Sequence, residues 1–287
     1  MKNKANKQFH PSRRLGQNFL RDYRVVETIV AGSDIDRDTL VLEIGPGEGV
    51  LTEELAAAAG AVVAVEIDDR LIPVLRRRFQ YRSNVEIVHG DILKINIPEL
   101  LAKAREQRNL STVRIVGNLP YYITTPIIMT LLESGVSAAS ITAMVQKEVA
   151  DRLLAEPGTR NAGAITYAVH YYSEVSLLCD VGRECFYPVP KVDSAVLRLD
   201  LRKEPPVALA DEALFFRCIK AGFSLRRKTL LNALSTLPDT DKETLTAKLA
   251  AAGIDPVRRA ESLSLEEFAR ISNELAGGTR TELKGKQ

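Results

Sequence analysis

The chain has 287 residues, 45% of them hydrophobic and 26% charged, with a formal net charge of +2. This is globular composition for one large or two modest domains, with enough chain to bury a core without disulfide or metal staples. Three cysteines (Cys179, Cys185, Cys218) without a CxxC pair exclude a disulfide scaffold, and three scattered histidines (His10, His89, His170) exclude a His-built metal site, so no metal is expected.

In chain order, residues 1–24 form a basic arm: Lys2, Lys4, Lys7, Arg13, Arg14, Arg21 and Arg24 stand against a single acid, Asp22. The arm lacks the apolar segment of a secretory signal. The longest apolar run, 55–65, has eleven residues where a membrane span needs about 20. A soluble, cytoplasmic protein is predicted. TLVLEI (39–44), AVVAVEI (61–67), VEIVHG (85–90), VRIVGN (113–118) and ITAMVQ (141–146) read as strands. Helix-like stretches at 50–59, 69–79 and about 126–133 separate them. Apolar strands alternating with helices predict a doubly wound α/β fold on a parallel sheet. Segment 164–181, aromatic and β-branched, reads as two more strands, and SAVLRLDLR (194–202) alternates like a half-buried strand. Lys203-Glu204-Pro205-Pro206 reads as a linker. Beyond it 211–223, 226–234 and 241–252 are predicted helices, and a Ser264/Glu267 capping box opens a fourth with Leu265, Phe268, Ile271 and Leu275 inside. The expected organisation is a basic arm (1–24), an α/β domain (25–203), a helical domain (207–277) and a frayed tail (278–287).

The sharpest local signal is Glu43-Ile44-Gly45-Pro46-Gly47-Glu48-Gly49, between a strand and a helix. Glycines there let backbone approach a ligand and turn tightly. Glu66 lies 21 residues beyond Gly45 at the next strand end, where a carboxylate accepts from ribose hydroxyls, and Asp91 ends the third strand, where it suits an adenine amine. An adenosine cofactor is the natural ligand. The GxGxG spacing, with Glu48 beside the helix start, suits a sulfonium better than a pyrophosphate, which favours S-adenosylmethionine over NAD.

The fourth strand ends in Asn118-Leu119-Pro120-Tyr121-Tyr122. The Asn118 side-chain carbonyl and a backbone carbonyl, of Leu119 or Pro120, are suited to accept both hydrogens of an adenine amine. Tyr121 is placed to stack on the base. Catalysis of this kind is positioning, and it needs no strong base.

At these residues the chain resembles the small-subunit ribosomal RNA adenine dimethyltransferases, the bacterial kasugamycin-sensitivity family. Leu15-Gly16-Gln17-Asn18-Phe19-Leu20, the glycine turn, Glu66, Gly90-Asp91 and Asn118-Leu119-Pro120-Tyr121 carry the resemblance. It continues through MVQKEVADRLLAEPG (144–158), FYPVPKVDSAVLRL (186–199), RRKTLLNAL (226–234) and ESLSLEEFARISNEL (261–275). It implies a Rossmann-like class I methyltransferase domain with a mostly parallel seven-stranded sheet and a small all-α C-terminal domain. It implies N6,N6-dimethylation, from S-adenosylmethionine, of two adjacent adenosines in the 3′-terminal hairpin loop of small-subunit (16S) rRNA. The cofactor contacts it implies are Asn18, Leu20, Gly45, Gly47, Glu66, Ile67, Asp91, Ile92 and Asn118. The catalytic turn is Asn118, Leu119, Pro120 and Tyr121, and Tyr121 and Phe186 cover the target base. Two positions depart from the family pattern: Ala162 replaces an aromatic residue and Leu225 replaces a Gln.

The expected partner is small-subunit rRNA within the 30S subunit or its precursor, bound by a monomer through Arg13, Arg14, Lys147, Arg152, Lys191, Arg226, Arg227 and Lys228, with no membrane contact. Lys191 and Asp193 are an alternative pair holding their loop. The rival enzymatic reading is the macrolide-resistance type acting on large-subunit rRNA. The non-enzymatic one is an RNA-binding assembly factor, which the intact Asn118 turn opposes.

Overall fold

The computed structural model describes residues 11–12, 15–225, 227–238 and 240–277. Half of the expected basic arm, including Arg13 and Arg14, lies outside the described residues, as do Arg226 and the tail 278–287. The chain forms two compact units.

The first unit takes in the described residues up to Ala150 together with Ser176–Leu199. Strands β2 (Thr39–Ile44), β3 (Ala61–Glu66), β4 (Val85–His89), β5 (Thr112–Asn118) and β6 (Ser140–Gln146) pair in parallel in the order β4-β3-β2-β5-β6. Beyond β6 the sheet gains β9 (Ser194–Leu201) and then β7 (Ser173–Val181), seven strands in all. Every residue of β2 and β3 is buried, as continuous apolar strands covered on both faces must be. Helices α1 (Tyr23–Gly32), α2 (Val50–Ala58), α3 (Ile72–Arg78), α4 (Ile97–Arg108), α5 (Thr124–Glu133) and α6 (Lys147–Leu154) alternate with the strands. Asp22 caps α1 by accepting from the Arg24 N–H at 3.0 Å. β2 sits between β3 and β5, so strand order reverses there. The crevice at the carboxyl ends of these strands is where such sheets bind ligands. A short antiparallel ribbon, β1 (Phe19–Leu20) with β8 (Phe186–Tyr187), joins the N-terminal segment to the FYPVP loop.

The second unit comprises Asp151–Val175 and the described residues from Asp200 onward. Its helices are the end of α6, α7 (Ala164–Tyr172), α8 (Glu212–Ser224), α9 (Leu230–Leu234), α10 (Lys242–Ala251) and α11 (Leu265–Ala276). Its core gathers Tyr167, Phe215, Leu230, Leu245, Leu249 and Phe268. The Ser264 cap is formed as expected: its hydroxyl accepts from the Glu267 N–H at 3.2 Å, and its own N–H donates to Glu267 at 2.8 Å. This division differs from a single cut at the 203–206 linker, because α7 contributes its aromatic side chains to the second core.

Two element predictions are corrected. The first half of 164–181 is helix α7, not a strand. The Gly163 N–H donates to Thr166 Oγ1 at 2.9 Å, and that hydroxyl donates to the Arg152 carbonyl at 2.7 Å, starting the helix. Tyr167 and Tyr171, one turn apart, then pack on Phe223, Phe268 and Phe215 with ring centroids 5.1–5.5 Å apart. Helical spacing, not β propensity, brings both rings into the core. Segment 226–234 is helical only from Leu230. The Leu230 and Leu231 N–H groups donate to the Arg258 and Pro256 carbonyls, which starts the helix there and leaves Arg227 and Lys228 in the preceding turn.

Candidate active site

Four parallel strands end on one edge of the sheet, and their last residues build the site. The Gly45 N–H donates to the Val65 carbonyl, Gly90 N–H to Glu66 and Leu119 N–H to Met144, at 2.9, 2.9 and 3.1 Å. These bonds carry the ladder one residue past each strand and fix the exit loops relative to one another. The glycine turn leaves β2 with Gly47 at φ 57°. That left-handed conformation costs a side chain strain, and a Cβ at Gly47 would stand 2.9 Å from the Phe19 ring. The turn therefore requires glycine on both counts.

Glu66, at the end of β3, is 4% exposed. It accepts from the Gly47 N–H at 3.1 Å and the Asp68 N–H at 2.9 Å, one bond on each oxygen, which leaves lone pairs for a ligand's hydroxyls. Burial pushes its carboxyl above the usual range, and the two backbone donors pull it back. Asp68 binds Arg70 and, at 2.8 Å, the Gln17 side-chain amide, and these partners hold its carboxyl down to about 2. Gln17 in turn accepts from the Ser12 N–H at 2.7 Å. The Leu15–Leu20 stretch is thus tied across the strand ends. Asp91 accepts from the Leu93 N–H at 3.1 Å and lies 3.5 Å from Lys94, holding the turn after β4.

Beneath the turn, Glu43 is 1% exposed and its Oε2 has no hydrogen-bond partner. The Thr52 hydroxyl lies alongside without closing a hydrogen bond of normal geometry. Burial pushes Glu43 up to about 8, so it is mostly a neutral acid near pH 7.

The Asn118–Tyr121 turn stands at the end of β5. Asn118 donates its side-chain N–H to the Asn18 carbonyl at 3.0 Å, which orients the amide and leaves its oxygen to face a ligand. The Pro120 carbonyl is occupied by the Ile123 N–H at 3.1 Å and Thr124 Oγ1 at 3.0 Å. Of the two backbone acceptors considered, Leu119 is therefore the one left for a ligand. The Tyr121 hydroxyl lies 2.7 Å from Ser194 Oγ, which fixes the ring, and burial raises its phenol.

These groups line one cavity. Asn18, Gly45, Gly47, Glu66, Ile67, Asp91, Ile92, Asn118, Leu119, Pro120 and Tyr121 all border it, with Gln17, Phe19, Tyr122 and Ile123, to which the sequence assigned no contact. Gln17 and Phe19 stand in the LGQNFL stretch, and Tyr122 follows the catalytic turn, so adjacency was the available signal. Leu20 borders instead a smaller cavity under the glycine turn, with Glu43 and Glu48. Glu48 is 2.6 Å from Arg21. Phe186 is not brought to the site. It is 3% exposed and sits opposite Leu20 across the ribbon, in the core with Val25, Met144 and Val196. Antiparallel pairing puts Leu20 and Phe186 on the same side of the ribbon, and that side is the core. Lys147 pairs with Asp180 at 2.6 Å, while Lys191, Arg227 and Lys228 are exposed and Arg152 is half-buried. Asp193 accepts from the Arg183 N–H at 3.1 Å, so Arg183, not Lys191, holds that loop.

No Lys or Arg borders the larger cavity among the described residues, whereas two carboxylates do. A pyrophosphate would find no countercharge there. An adenosine bearing a cationic sulfonium fits: Glu66 suits the ribose, Ile67 and Ile92 give the cavity apolar surface suited to a flat ring, and the acids suit a positive charge. The residues present are those S-adenosylmethionine needs.

Residues 8–277 match the family model described as ribosomal RNA adenine dimethylase. A relative from Geobacillus thermodenitrificans named ribosomal RNA small subunit methyltransferase A is 49% identical, over 91% of this chain and 89% of its own. Among solved structures, a dimethyladenosine transferase from Plasmodium falciparum superposes with a TM-score of 0.73 at 26% identity, covering 88% of this chain and 95% of that one. The 23S rRNA methyltransferase ErmE does so with a TM-score of 0.67 at 30% identity, covering 90% and 99%. With the glycine turn, the ribose acid and the Asn118 turn converging on one cavity, and the family model matching nearly the whole chain, this chain belongs to the ribosomal RNA adenine dimethylases.

Proposed function

We propose that the chain dimethylates the N6 amines of two adjacent adenosines in the 3′-terminal hairpin loop of small-subunit (16S) rRNA during 30S biogenesis. The observation that carries this reading is the opening of the Asn118 turn into the cavity that holds Glu66 and Asp91, which puts amine acceptors and cofactor residues around one space. The 49% identical relative is named for the small subunit, which supports that substrate over the large-subunit alternative.

S-adenosylmethionine, when bound, supplies a methyl group on a sulfonium, whose sulfur departs as a neutral thioether. The chain's own part is placement. Asn118 Oδ1 accepts one hydrogen of the adenine amine and the Leu119 carbonyl the other, drawing the nitrogen lone pair out of the ring's conjugation. The fixed Tyr121 ring stacks on the base. A methylated ammonium is acidic enough to lose its proton to water, so no buried base is needed. Holding nitrogen and methyl donor in line is the kind of contribution worth about 7–11 kcal/mol of barrier in well-oriented systems. Lys191, Arg227 and Lys228 are exposed cations suited to RNA phosphates. The enzyme acts as a monomer in the cytoplasm, on the 30S subunit or its precursor.

The test is methyl transfer from labelled cofactor to small subunits lacking dimethyladenosines, mapped by primer extension, since dimethylation blocks the Watson–Crick edge. Stops at two adjacent adenosines of the 3′ hairpin are expected. Transfer to large-subunit RNA alone would move the protein to the resistance type, and cofactor binding without transfer would leave an assembly factor.

A further inference from the structure

Segment 71–84 carries Arg76, Arg77, Arg78 and Arg82 and no acid. Within it, α3 turns Ile72 and Leu75 inward, followed by Phe79, and these three are buried. The outward side is exposed: Val74 is 48% accessible, Arg76 and Arg77 are exposed, and Tyr81 is 91% accessible. A tyrosine this open leaves its ring to solvent. The nearby acid, Glu53, is taken by Arg78 at 2.6 Å and approached by Arg82 at 3.9 Å. Arg76 and Arg77 pair with no carboxylate among the described residues. From the adjoining α4, Arg108 donates to the Ser83 carbonyl at 2.7 Å and adds its charge beside the same turn. None of these residues borders the cofactor cavity.

We infer that this face of α3 and the turn after it is a second RNA-binding surface, on which Arg76 and Arg77 hold phosphates and Tyr81 stacks on an unpaired base or a ribose. Arginine forks match phosphate oxygens bidentately, an uncompensated cluster favours a polyanion, and a flat aromatic beside it is the partner that bases use. The surface serves the substrate and not the chemistry, since it lies outside the catalytic cavity. The inference rests on the proposed function for its RNA, and the experiment separates the two.

The measurement is the Kd of the full chain for small subunits lacking dimethyladenosines, titrated between 50 and 200 mM salt (about the range over which phosphate contacts are read), beside the Kd for S-adenosylmethionine. Each phosphate contact contributes about 0.7–0.9 to the slope of log K against log salt, so R76Q/R77Q should lower that slope by about 1.4–1.8 and weaken binding about 10-fold or more. Tyr81→Ala should weaken binding about 5- to 150-fold with an unchanged slope, as a stacking contact does. Cofactor affinity should match the wild type in both, which shows the fold intact. Wild-type slope and Kd in R76Q/R77Q would overturn the inference. Failure of the wild type itself to bind those subunits would overturn the proposed function instead.

Discussion

Asn118 donates its side-chain amide to the backbone carbonyl of Asn18, 3.0 Å away and 100 residues earlier in the chain. The bond joins the Asn118 turn to the N-terminal stretch that crosses the strand ends. It uses the amide's donor side and leaves its oxygen, on a residue that borders the cavity, to accept from another group. Asn118→Ala removes the acceptor but leaves Glu66, Asp91 and the glycine turn in place. Turnover should fall by at least about 100-fold, with the cofactor Kd changed by only a few-fold. Single-turnover transfer and equilibrium cofactor binding, measured on the same preparation, check this; unchanged turnover would remove Asn118 from the chemistry.

Glu66→Ala should do the reverse. It deletes the buried acceptor at the ribose position and strands the Gly47 and Asp68 N–H groups that it holds. Hydrogen bonds to a charged group contribute about 1.5–3 kcal/mol, so cofactor binding should weaken by roughly 10- to 150-fold. Calorimetric titration gives the answer directly, and a wild-type Kd would defeat the assignment.

Glu43 makes stability depend on pH. Burial keeps its proton to about 8, against 4.5 for an unperturbed Glu. Between those values the folded chain holds a proton that the unfolded chain has lost. The contribution is therefore complete below about 4.5, declines as pH rises and is gone above about 8. The loss approaches about 1.4 kcal/mol per pH unit across this window. Glu43→Gln cannot titrate, so its denaturation midpoint should fall less steeply than the wild type's over the same range. Parallel curves for the two proteins would show that Glu43 is not the group responsible.

Gly47→Ala tests the turn. Its left-handed φ of 57° strains any Cβ, and that Cβ would press on the Phe19 ring at 2.9 Å. Destabilisation of about 1–3 kcal/mol is expected, with weaker cofactor binding because Phe19 borders the cavity. Urea unfolding monitored with and without cofactor reads both effects, and a wild-type midpoint in the absence of cofactor would show that the turn accommodates a side chain.

Much of the α/β unit is legible locally. β2 and β3 are mostly apolar runs, a signal that needs no distant partner, and the Ser264–Glu267 cap closes over four consecutive residues. The glycine turn, Glu66, Asp91 and the Asn118 turn each announce themselves at a strand end. Segment 164–172 does not: its Tyr and β-branched residues favour a strand locally, and only Phe215, Phe223 and Phe268, far along the chain, make the helix the better burial. Phe186 is the same problem at the site. Its place in FYPVP suggests a base platform, but pairing with Leu20 turns it into the core.

By itself the sequence determined the five parallel strands, the strand ends at which the glycine turn, the two acids and the Asn118 turn stand, and which family the chain resembles, because backbone propensity, apolar continuity and side-chain chemistry are properties of neighbours along the chain. Tertiary structure alone decided that the Pro120 carbonyl is taken by Ile123 and Thr124, that the Asn118 amide donates to Asn18, and that Phe186 lies in the core. Those outcomes depend on which donors and surfaces arrive from residues far away in sequence, and a hydrogen-bonding group's availability is set by the partners that reach it first.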